Sequence, residues 1–131
     1  DEEPELCRLL CERGDVDVYK GVDVDKRYCF PGNTALHEAA RTGRMECMRI
    51  LLDVGKANVN AKNNDSNTPL HWAASRGHIE AATLLIERGA EINPINNNNE
   101  TPLDIAHEYS ETAIIAFLKI KGAVRAPQPV V

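Results

Sequence analysis

Three segments of the chain align without a gap: Thr34-Ala35-Leu36-His37-Glu38-Ala39-Ala40, Thr68-Pro69-Leu70-His71-Trp72-Ala73-Ala74 and Thr101-Pro102-Leu103-Asp104-Ile105-Ala106-His107. They are spaced 34 and then 33 residues apart. Nine residues after each threonine stand Gly43, Gly77 and Ser110. Apolar stretches then end in Ile50-Leu51-Leu52, Leu84-Leu85-Ile86 and Phe117-Leu118, and Gly55, Gly89 and Gly122 follow. The extra residue in the first period is Lys56. Self-similarity at this spacing marks a stack of small units, each unable to bury its apolar face alone.

Each copy reads as helix, turn, helix. The threonines are good N-caps, with a side-chain oxygen for the orphan amides of the first turn. Pro69 and Pro102 suit the first helical position, where a missing N–H costs nothing. Ala35 lacks that stiffening. Ala39, Ala40, Ala73, Ala74 and Ala106 let the first helix approach its neighbours closely. Gly43 and Gly77 suit a left-handed cap. Met45/Met48/Leu51/Leu52 and Ile79/Ala82/Leu85/Ile86 form an apolar stripe on the second helix. The polar stretches to the next threonine suit hairpin loops.

The pattern resembles the ankyrin repeat, over roughly residues 5–123. The resemblance implies an all-α fold: an ankyrin-repeat solenoid of stacked helix-turn-helix pairs with projecting β-hairpin fingers. On this ruler the chain has repeats at 34–60 and 68–93, a C-terminal capping repeat at 101–123 and a flexible tail at 124–131. Glu5 to Gly14 aligns with Glu80 to Gly89, so 5–14 reads as a half repeat without its first helix, as expected of a fragment of a larger protein. About seven extra residues then lengthen a first finger at 15–33. Asp104 and Ser110 replace the repeat's His and Gly, as terminal repeats do. The turn glycine is matched by Gly32 and replaced by Ser66 and Asn99. The run Asn96-Asn97-Asn98-Asn99 reads as a turn, because Asn tolerates the left-handed conformation.

The 131 residues suffice for a real core, and 43% hydrophobic with 27% charged residues excludes wholesale disorder. No run approaches the length of a membrane span. The net charge of −5 argues against nucleic acid as the main partner. Residues 1–27 hold nine acidic and five basic side chains, leaving the remainder near neutral. Any electrostatic steering should therefore favour a basic partner segment at the N-terminal finger. Cys7, Cys11, Cys29 and Cys47 form no CxxC pair. Reduced thiols in a cytoplasmic or nuclear protein are expected, with Cys29 the most exposed.

Residues that look chemical have ordinary places in the repeat. Resemblance gives His37 and His71 a structural role, bridging backbone groups of neighbouring loops. Cys7 and Cys11 fall at core positions. Asn60 resembles the asparagine hydroxylated in some ankyrin domains, although its ordinary role is to hold the hairpin turn. No phosphate loop, nucleophile motif or metal constellation is present in the sequence, so neither catalysis nor a cofactor or metal is expected.

In the proteins this chain resembles, partners bind the finger tips and the open face of the inner helices. The matching finger positions are Phe30, Pro31 and Asn33, then Asn64, Asp65 and Asn67, then Asn97, Asn98 and Glu100. The matching helix positions are Glu38, Arg41 and Thr42, then Trp72, Ser75 and Arg76, then Ile105, His107 and Glu108. Of these, Asn33, Glu38, Asn64, Asp65, Asn97, Asn98 and Glu108 are candidate partner-binding residues. Trp72, flanked by Arg41 and Arg76, is expected at the centre, with Tyr28 and Phe30 as a second apolar spot. The function expected is a non-catalytic, monomeric module for a protein or peptide. The alternatives are a spacer in a larger repeat array or a regulatory domain of a larger enzyme or channel.

Overall fold

In a computed structural model of the chain, residues 32–53 and 56–127 are described. The expected half repeat at 5–14 and nearly all of the first finger lie outside them. Six helices follow in order: α1 (Ala35–Thr42), α2 (Met45–Asp53), α3 (Pro69–Arg76), α4 (Ile79–Glu87), α5 (Pro102–Glu108) and α6 (Thr112–Ile120). Among the described residues there is no strand. The fingers there are tight turns, each closed by two backbone hydrogen bonds: Asn63 N–H to Asn67 O at 3.0 Å with Ser66 N–H to Asn63 O at 2.9 Å, and Asn96 N–H to Glu100 O at 3.1 Å with Asn99 N–H to Asn96 O at 3.0 Å.

Local chemistry starts each inner helix. The hydroxyls of Thr34, Thr68 and Thr101 accept from the amides of His37, His71 and Asp104, whose side chains accept in return from the threonine amides. This reciprocal cap satisfies two orphan donors at once. Left-handed residues end the inner helices: Gly43 (φ 75°), Gly77 (φ 70°) and, in the last repeat, Ser110 (φ 56°). The finger turns need the same conformation at Gly32 (φ 76°), Ser66 (φ 61°) and Asn99 (φ 59°).

The inner helices α1, α3 and α5 pack side by side, and the outer helices α2, α4 and α6 form a second row. Leu36, Leu70, Met48, Leu51, Leu85, Ile114 and Leu118 are fully buried, with alanines at the inner-helix contacts. The buried stripe of the outer helices is shifted from the expected one. Cys47, Ala81 and Leu84 go inside, whereas Met45, Ile79 and Ile86 pack only at its edge. Cys47 is disulfide-bonded, which differs from the reduced thiol expected there.

Repeats are tied at fixed register. His37 Nε2 lies 2.8 Å from the Asn67 carbonyl oxygen, and His71 Nε2 lies 2.9 Å from that of Glu100. Asn60 and Asn93 accept through their side chains from the amides of Glu91 and Val124, at 2.8 and 2.9 Å. The extra Lys56 is absorbed in a left-handed conformation (φ 55°). The amide of Ala57 therefore reaches Leu51 O across one more residue than Ala90 to Leu85 O or Ala123 to Leu118 O.

Residues 124–127 differ from the flexible tail expected at 124–131. Thr101 Oγ1 donates to Val124 O at 2.8 Å, Ala126 N–H donates to Asp104 Oδ2 at 2.8 Å, and Arg125 Nε donates to Asp104 Oδ1 at 2.8 Å. The reason is the substitution at 104. A carboxylate accepts several donors where an imidazole would offer one.

Candidate functional site

The face formed by the inner helices and fingers carries a groove of about 230 Å³ in its C-terminal half. Trp72 and Ser75 of α3 form one side. Ile105 and Glu108 of α5, with Tyr109 just after it, form the other. Asn67, Asn96, Asn98 and Glu100 of the fingers, with His71, complete the lining. The helical period places 72 and 75 on one side of α3 and 105, 108 and 109 on one side of α5. The finger residues reach the groove because the inter-repeat bonds hold each finger against the inner helix of the preceding repeat.

Trp72 is half-buried and packs against the core. Tyr109 is 59% exposed, so an aromatic surface stands open to a partner. Glu108 shares a side-chain hydrogen bond with Glu100. That bond, then the charge of Glu100 and a little burial, raise the Glu108 carboxyl above its ordinary range. Glu100 is held from behind, its Oε1 accepting from Asn96 Nδ2 at 3.2 Å. His71 contributes no charge to this environment. Thr68 N–H donates to its Nδ1 at 3.0 Å, leaving Nε2 as the donor to Glu100 O. Burial lowers its pKa to about 4.

The candidate residues divide sharply. Tyr28 and Phe30 lie outside the described residues. Asn33, Glu38 and Arg41 turn inward. Asn33 is fully buried, donating to Glu38 Oε1 at 3.0 Å and accepting from Asn63 Nδ2 at 2.8 Å. Arg41 pairs with Glu38 at 2.6 Å, both side chains at most 5% exposed. These three, expected at the partner-binding surface, are buried, with polar atoms engaged by the asparagine ladder and the ion pair. Neither Arg41 nor Arg76, the latter exposed, is among the residues that line the groove. Asn64, Asp65, Asn97 and Asn98 are exposed on the fingers. Asn97 is engaged with the preceding finger, through its amide to Asp65 O and its side chain to Asn64 O.

The structure brings Trp72, Asn98 and Glu108 together. Sequence reasoning missed Tyr109. The available signal was its place four residues after Ile105, on the same helical side.

Among the described residues no group of three His, Cys, Asp or Glu side chains is placed to hold a metal ion. None of their helices is long and apolar enough to cross a membrane.

A family model for ankyrin repeats in three copies matches residues 1–96 and 54–125. The chain belongs to the ankyrin-repeat family. It is 33% identical over 104 residues to the ankyrin repeat protein nuc-2 of Neurospora crassa, covering 79% of this chain and 10% of that protein. It is 34% identical over 91 residues to alpha-latroinsectotoxin-Lt1a of Latrodectus tredecimguttatus, covering 70% and 6%. It is 36% identical over 90 residues to the human ankyrin repeat and SOCS box protein 16, covering 68% and 19%. The matched stretch is thus at most about a fifth of these relatives. Ankyrin repeats are in general protein–protein interaction modules and in general non-catalytic.

Proposed function

We propose that the domain binds a partner protein or peptide along its concave face, with the groove around Trp72 as the centre of the site. The observation that carries this reading is the Trp72–Tyr109 surface: a half-buried indole and an exposed phenol facing one groove, bordered by polar finger residues. Buried aromatic anchors inside a polar rim are where interface energy concentrates. The small share of each relative that the match spans favours a domain working within a larger protein, in which the same face would serve regulation or assembly. The acidic excess of residues 1–27 adds a second proposal, attraction of a basic partner segment at that end, visible as affinity that falls with salt.

The test is partner capture with three variants whose fold is checked by circular dichroism. Trp72→Ala and Tyr109→Ala should abolish capture, and Arg49→Ala on the outer row should leave it intact. Capture that survives Trp72→Ala, or is lost equally with Arg49→Ala, removes the concave-face reading.

A further inference from the structure

The groove is chemically lopsided. Two aromatic side chains, Trp72 and Tyr109, line it beside two carboxylates, Glu100 and Glu108. Neither carboxylate forms an ion pair among the described residues. Two neighbouring basic groups are already engaged or uncharged. The His71 ring is neutral and bonded to the Glu100 backbone. Arg125, in the adjoining cleft, is held by Asp104 at 2.8 Å.

We propose, building on the concave-face reading, that this groove receives an arginine side chain of the partner protein, its guanidinium stacked on Trp72 and Tyr109 and forked by Glu100 and Glu108. A guanidinium is planar, stacks on aromatic faces and offers its donors in a rigid fork, whereas an ammonium is a compact, strongly hydrated point charge. A cation over an aromatic face is itself attracted by the ring. The raised Glu108 carboxyl supports the assignment, since it records two acids set side by side, through their shared hydrogen bond first and their like charge second. The basic group of the partner is thereby placed in the C-terminal half of the face.

Trp72 is the only tryptophan of the chain, so its fluorescence reports the groove directly. The probe is a capped pentapeptide with one central arginine, titrated beside its lysine and glutamine counterparts against the 131-residue chain. The arginine peptide should change the emission saturably, the lysine peptide should bind more weakly, and the glutamine peptide should give no response. In the Glu100→Gln/Glu108→Gln double variant the Kd should rise at least about tenfold while the circular dichroism spectrum is retained. The proposal is overturned by no saturable change with arginine, by equal binding of either counterpart, or by unchanged affinity of the double variant. If that happens while Trp72→Ala still abolishes partner capture, only the arginine assignment falls. If capture also survives Trp72→Ala, the concave-face reading falls with it.

Discussion

His71 reaches across one repeat to Glu100, its Nε2 2.9 Å from the Glu100 carbonyl oxygen, while the Thr68 amide fixes its other ring nitrogen at 3.0 Å. The bond joins the start of one inner helix to the finger before the next, and it requires a neutral ring.

That requirement predicts acid sensitivity. Burial is the dominant cause of the depressed pKa, about 4 against an ordinary 6.5. Between those values the unfolded chain binds a proton that the folded one refuses, so stability is full above pH 6.5 and declines as pH falls towards 4. The whole effect is at most about 3 kcal/mol. Urea unfolding at pH 7.5, 5.5 and 4.0 checks it. His71→Gln should be less stable at neutral pH and show a shallower acid slope. An equal slope in both proteins contradicts this account.

Ser110 holds a left-handed conformation (φ 56°) at the position where the other repeats have Gly43 and Gly77. A residue with a Cβ is strained there by about 1 kcal/mol. Ser110→Gly should therefore raise the thermal midpoint by a few degrees. Ser66→Gly should gain less, because the Ser66 hydroxyl also donates to Asn97 Oδ1 at 2.8 Å.

Asp104 anchors residues 124–127. Burial opposes its ionisation, but hydrogen bonds from Arg125, the Thr101 amide, the Ala126 amide and the Thr101 hydroxyl outweigh this and hold its carboxyl below the ordinary range. The stabilisation is present above the ordinary carboxyl pKa of 3.8 and is lost as pH falls through the lower folded value. Asp104→Ala should cost about 1–3 kcal/mol through the donors left unsatisfied. Hydrogen exchange at the Ala126 amide should accelerate well beyond any change at the amides of α3.

Arg88 and Asp53 join the outer helices through contacts of 2.6 and 3.1 Å, but both side chains are about 40% exposed. Such an exposed pair contributes little to stability, whereas Leu85→Ala in the adjacent core should cost about 2–5 kcal/mol. Comparing Arg88→Gln with Leu85→Ala in one denaturation series tests whether packing or surface charge holds the outer row.

The elements whose causes are local were legible in the sequence. The threonine caps, the terminating glycines and the left-handed roles of Ser66, Asn99 and Ser110 all depend on interactions within three or four residues, and period plus residue type reveals them. The asparagine run was legible as a turn for the same reason. The candidate site was legible only in part. Trp72, Asn98 and Glu108 were found by position in the repeat, but Glu38 and Arg41 occupy equivalent positions and are buried against each other.

The sequence by itself determined the repeat spacing, the threonine caps and the left-handed turn positions, because each is set by the backbone preferences of a short segment. Tertiary structure alone decided which polar side chains the stack consumes and which it leaves to a partner. Asn33 meets Asn63, Glu100 meets Glu108, and Asp104 gathers the tail only after inter-repeat hydrogen bonds and alanine-lined helix contacts fix the register between segments about thirty residues apart. No local propensity encodes the distance between side chains that come from different repeats.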